Sequence, residues 1–86
     1  MKISKTNKFA KRYKKLPANI QKKVDKQIQL LATDFYYPSL HTQKLSIGID
    51  WWEFRIDYHY RMVGKKINGE IILHSVGHHD EGLGKK

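Results

Sequence analysis

Apolar residues recur along this chain with two different periods, and the change from one to the other divides it. In the first half Phe9, Tyr13 and Leu16 are spaced by four and three, and Ile20, Val24, Ile28 and Leu31 by four, four and three. Such spacing puts each set on one face of a helix. Thr6 or Asn7 can cap the first helix by accepting bonds from its unpaired N–H groups. Pro17 breaks that helix and is well placed in the first turn of the next. Lys22, Lys23 and Lys26 then look outward. The two segments predict a helical hairpin, preceded by a short strand over Lys2 to Lys5. Asp34 to Thr42 has no period, contains Pro38, and reads as a surface connection.

Beyond it the period is two. Trp52, Phe54, Ile56 and Tyr58 alternate with Glu53, Arg55, Asp57 and His59, the pattern of a half-buried strand. Tyr60 to Ile67 predicts a second strand, Asn68-Gly69 a tight two-residue turn, and Glu70 to Val76 a third strand that Gly77 ends. Residues from about 78 to 86 read as a flexible tail. The order β-α-α-β-β-β predicts an α+β fold, with the helical hairpin packed on one face of a small, mainly antiparallel sheet. Residues 1–86 are expected to form one domain. The other face of the sheet stays open and carries the polar residues of the strands.

Turn length sets register. A two-residue turn at Asn68-Gly69 pairs Ile67 with Glu70, hence Val63 with His74 and Arg61 with Val76, so Arg61 and His74 share a face. A three-residue loop over Asp57 to His59 would set Arg55 opposite Arg61, two cations that a bound phosphate would reconcile. A two-residue loop would not.

Charge narrows the partners. Seventeen Lys and Arg against eight Asp and Glu give a net +9 and a pI near 9.9. An excess of this size points to nucleic acid, a ribosome, an anionic membrane or an acidic protein, and also serves solubility. The chain has no cysteine, which excludes disulfides and thiolate metal sites. No apolar run approaches the roughly 20 residues that span a bilayer. The polar start Met1-Lys2-Ile3-Ser4-Lys5 does not suit a signal peptide. A cytoplasmic protein without a membrane partner is expected.

His78-His79-Asp80-Glu81 is the densest group of proton-transfer residues, since histidine titrates near neutrality; the alternative is a solvated tail. His74 and His78 are four residues apart, which aligns metal ligands on a helix but not on a strand, so no metal is expected. Glu53 beside Arg55 is either a general base next to a phosphate clamp or half of a same-face ion pair. Trp51 either stacks on a base or packs at a strand end. No phosphate-binding glycine loop, nucleophilic triad or paired-carboxylate motif occurs, and no cofactor is expected.

Taken in order, Phe9, Leu16-Pro17, Ile20, Ile28, Leu31, Pro38-Ser39-Leu40, Lys44-Leu45, Trp52-Glu53-Phe54-Arg55, Tyr60-Arg61-Met62-Val63 and Val76-Gly77-His78-His79-Asp80 resemble the RelE/ParE superfamily of toxins from type II toxin–antitoxin systems. The ordered set spans essentially the whole chain and is closer to the RelE-like members. That resemblance implies a ribosome-dependent mRNA endonuclease, an mRNA interferase in which the message's own 2′-hydroxyl attacks and no metal is needed. It implies that Arg55 and Arg61 hold the scissile phosphate and that His79 protonates the leaving 5′-oxygen. Glu53 or His78 would activate the hydroxyl. Lys22, Lys23, Lys26 and Lys44 are assigned to substrate binding. The implied partners are the ribosome with its mRNA and an acidic cognate antitoxin. The alternative within the superfamily is a ParE-like toxin that binds and poisons DNA gyrase without cutting RNA.

Overall fold

The computed structural model describes residues 1–78. Strand β1 (Lys2–Lys5) leads into α1 (Asn7–Lys14) and α2 (Ala18–Thr33). Thr6 is the cap of α1, its hydroxyl accepting from the Phe9 N–H at 3.1 Å. Pro17 sits at the cap of α2, and its carbonyl takes the first turn's N–H groups of Ile20 and Gln21. A 3-10 turn (Pro38–Leu40) follows, then β2 (Gln43–Lys44), β3 (Trp51–Arg55), β4 (Tyr60–Ile67) and β5 (Glu70–His78). The five strands lie in the order β1-β5-β4-β3-β2. Only β1 against β5 is parallel, as expected of a mainly antiparallel sheet.

Both helices give their apolar stripes to one face of this sheet. Phe9, Ile20, Val24 and Leu31 from the helices meet Phe54, Met62, Ile71, Leu73 and Val76 from the strands, with Phe35 and Leu40 sealing one side. The expected α+β arrangement is the one observed.

Four local expectations are corrected. Lys44 lies in a fifth strand, β2, because Gln43 and Lys44 pair with Glu53 and Trp52 along the β3 edge. Tyr58 does not point inward: β3 ends at Arg55, and Tyr58 is 74% exposed in the loop that turns to β4. Gly77 does not end the last strand, since Arg61 and Tyr60 still offer partners to Gly77 and His78. His78 is therefore strand rather than tail.

The fourth correction concerns register. The Asn68-Gly69 turn pairs Ile67 with Glu70 as expected, with φ of 51° and 77° at its two residues. Between Gly64 and Val63, however, β5 carries one extra residue, His74, in a bulge. Val63 therefore faces Ser75 and Arg61 faces Gly77, in place of His74 and Val76. The bulge puts Val76 on the helix side, where it is fully buried. Thr6 meets backbone that the bulge exposes: its N–H donates to the Leu73 carbonyl at 3.0 Å and its hydroxyl to the His74 carbonyl at 3.1 Å. At Gly64 beside the bulge a Cβ would come 3.0 Å from the Ile72 carbonyl, so a side chain there requires the β5 backbone to shift.

Candidate functional site

Register sorts the strand residues into rows across the open face. Arg55, Arg61 and Gly77 make the first row, Gln43, Glu53, Val63 and Ser75 the second, and Trp51, Lys65, Ile72 and Ser4 the third. Directly opposed residues share a face, and none of these belongs to the helix-side core cluster.

The first row carries the most chemistry. Past the end of β3 the Ile56 N–H donates at 2.9 Å to the carbonyl of Tyr60, where β4 begins, which leaves three residues, Asp57 to His59, to turn the chain. Arg55 and Arg61 are consequently direct partners across the two strands. Gly77 adds no side chain beside them. Among the described residues the Nε of Arg55 is the buried side-chain polar atom left without a hydrogen-bond partner, a costly state that a bound anion would relieve. Glu53 stands two residues from Arg55 on the same face and forms no ion pair among the described residues, so the alternative of a same-face ion pair is not what the geometry shows.

The surrounding loop holds both arginines in place. Arg61 Nη1 donates to the carbonyls of Asp57 at 2.6 Å, Tyr60 at 3.0 Å and Tyr58 at 3.1 Å. The Asp57 carboxylate in turn accepts from the N–H groups of His59 and Tyr60. It also meets Lys23 of α2 at 3.2 Å. From the same helix Gln27, buried, donates through Nε2 to the carbonyls of Arg55 at 2.9 Å and Ser39 at 3.2 Å. Lys23 and Gln27 are one helical turn apart, so one stripe of α2 grips the hairpin from behind. Sequence reasoning read Lys23 as a solvated lysine and missed Gln27. A polar residue in line with the stripe Ile20, Val24, Leu31 was the available signal.

Partial burial opposes charge on Asp57, but the His59 N–H, Lys23 and the Tyr60 N–H together hold its carboxyl below the usual carboxylate value of 3.8. A carboxyl depressed on folding stabilises the folded state above its unfolded value, and that contribution is lost as pH falls through the lower folded value. The urea midpoint is expected to drop on acidification below about pH 4. Asp57→Asn, which keeps the acceptor oxygen, flattens that part of the profile; an unchanged profile would show that the Asp57 charge contributes nothing.

The remaining sequence-predicted residues lie elsewhere. His78 pairs with Tyr60, on the side the helices cover. Its ring stacks on His59 at 5.5 Å and meets Tyr60 edge-on at 5.4 Å. It lines a cleft of about 340 Å³ with Arg12, Lys15, Leu16 and Pro17. Lys22, Lys23 and Lys26 are exposed on α2, behind the sheet, and Lys44 shares the helix-side face with Trp52. His79 lies outside the described residues. His74 does share the open face with Arg61, but three positions along β5 from its row, with its ring 4.7 Å from Trp51. Burial, then Lys65 and Lys8, push its imidazole below the usual histidine value. Among the described residues no three His, Asp or Glu side chains gather as metal ligands, and no helix is long and apolar enough to cross a membrane.

No protein-family model matches the sequence, and neither does any curated protein. Solved structures match well. A chain of the RelB-RelE antitoxin–toxin complex from Methanococcus jannaschii superposes with a TM-score of 0.77 at 19% identity, covering 91% of this chain and 92% of that one. The YoeB/ParE toxin from Agrobacterium tumefaciens gives 0.74 at 19%, covering 92% and 99%. A chain of the DinJ-YafQ complex from E. coli gives 0.73 at 15%, covering 92% and 93%. The chain therefore has the fold of the RelE-like toxins, as the ordered motifs implied.

Proposed function

We propose that this protein is the toxin of a type II toxin–antitoxin pair and cuts mRNA on the ribosome by attack of the message's own 2′-hydroxyl. The observation that carries the reading is the Arg55–Arg61 pair, two opposed cations on an uncovered sheet face, with the Arg55 Nε buried and unbonded. Opposed like charges destabilise a sheet unless something neutralises them. A phosphodiester does so, and the same guanidinium groups stabilise the charge that grows on its oxygens during cleavage. Likeness of fold to RelE, YoeB and YafQ supports the same reading.

In this mechanism Arg55 and Arg61 clamp the scissile phosphate. Glu53, on the same face and without an ion pair among the described residues, takes the proton of the attacking hydroxyl. His78 faces the helix side, which favours Glu53 over it as base. His79 protonates the leaving 5′-oxygen, as the resemblance implies. Lys22, Lys23, Lys26 and Lys44, set away from the open face, contact ribosomal phosphates and steer association. The antitoxin is an acidic protein that covers the open face.

One observation favours a second reading, a ParE-like toxin that binds gyrase without cutting. Arg61 Nη1 is spent on three loop carbonyls, a structural use that a binding protein would also need. Incubating mRNA with the purified protein, with and without programmed ribosomes, and mapping the ends separates the two. Cuts confined to the decoding site of programmed ribosomes are expected. An uncut message in both tubes, with gyrase supercoiling inhibited, replaces the nuclease by the gyrase reading.

A further inference from the structure

The third row of the open face holds a second group of residues that the arginine pair does not use. Trp51 reaches from β3 and His74 from β5, on either side of β4, and their ring centroids come within 4.7 Å. The two side chains therefore meet across β4, on the face that also carries Val63, only 2% exposed. The neighbouring Trp52 packs against the helix-side core, but Trp51 does not. Gly48 approaches the indole edge so closely that a Cβ there would sit 3.0 Å from Trp51 Cδ1. The ring is thus held at its edges by Gly48 and His74 and stays partly exposed.

Charge at this spot has one sign. Lys65 Nζ lies 5.9 Å from the indole centroid, and Lys65 and Lys8 are both close enough to disfavour a charge on His74. Neither lysine has an ion-pair partner among the described residues. A fixed aromatic ring flanked by unneutralised lysines is the combination that single-stranded nucleic acid binds, with bases stacked on the ring and phosphates on the cations. Trp51 and Arg55 are four residues apart on one face of β3, roughly 13 Å at the rise of a strand. One short stretch of RNA can therefore reach both.

We propose that Trp51, His74 and Lys65 form a second RNA subsite on the open face, where a base flanking the cut stacks on the indole and Lys65 takes its phosphate. This rests on the reading that the open face holds RNA and adds to it the place where an unreacting nucleotide is gripped.

The test uses the full chain and a single-stranded RNA hexanucleotide, with affinity measured over a range of salt. Trp51→Leu keeps apolar bulk and is expected to weaken binding about tenfold, the size of one stacked base; Trp51→Tyr restores most of it. Lys65→Gln is expected to lower the salt slope by about one phosphate contact. RNA lacking the stacked base should lose affinity for the wild type and no more for Trp51→Leu. Wild-type affinity in Trp51→Leu, or a Tyr variant as weak as the Leu variant, overturns the stacking role, and an unchanged salt slope overturns the phosphate contact. Wild-type protein that binds no RNA overturns the RNA reading of the whole face, whereas RNA binding indifferent to Trp51 overturns the subsite alone.

Discussion

Arg55→Ala is expected to lower the single-turnover rate of mRNA cleavage on saturating programmed ribosomes by at least ~10²-fold, the usual loss when one donor to a developing oxyanion is removed. The expectation follows from the row that Arg55 shares with Arg61 and from a buried Nε that no described residue satisfies. Arg55→Lys keeps the charge without the planar fork and should recover part of the rate. Arg61 needs a different control. Its Nη1 also ties the carbonyls of Asp57, Tyr58 and Tyr60, so Arg61→Ala loosens the loop as well as the clamp, and only a melting curve beside the rate separates these losses. Wild-type cleavage by Arg55→Ala would remove Arg55 from the chemistry.

Gln27→Leu is expected to destabilise the fold by about 2–6 kcal/mol, the sum of two carbonyls each left without a donor at ~1–3 kcal/mol. The replacement fits the apolar stripe of α2 by volume, so the loss isolates the two hydrogen bonds. Urea unfolding measures it. Because one of the two carbonyls belongs to Arg55 itself, the variant should also cut more slowly at a temperature where it remains folded. A stability within about 0.5 kcal/mol of wild type, the range of ordinary surface substitutions, would mean the carbonyls find other donors.

The large elements were legible because burial writes its period into the chain. Ile20 to Leu31 and Trp52 to Ile56 could face the core only as a helix and a strand, and Asn68-Gly69 left one turn to choose. The Arg55–Arg61 pairing was legible only as a condition on loop length, which the Asp57 side chain decides by bonding the His59 and Tyr60 N–H groups. The bulge at His74 left a trace that alternation alone does not interpret: apolar Ile71 and Leu73 are two apart, whereas Leu73 and Val76 are three apart. The two-residue β2 had no pattern to read, since Gln43 and Lys44 are both exposed. Gln27 was missed because its partners are backbone carbonyls, and carbonyls leave no mark in a sequence.

The parallel pairing of β1 with β5 has a consequence for synthesis of the protein. Among the described residues the first strand lies beside the last, and the bond from Thr6 to the His74 carbonyl spans 68 residues. β5 also supports β4 along its other edge, so a nascent chain that stops short of it has helices and hairpin but no closed sheet beneath them. Long-range closure of this kind comes late in folding. Translation therefore completes the open face only when β5 arrives.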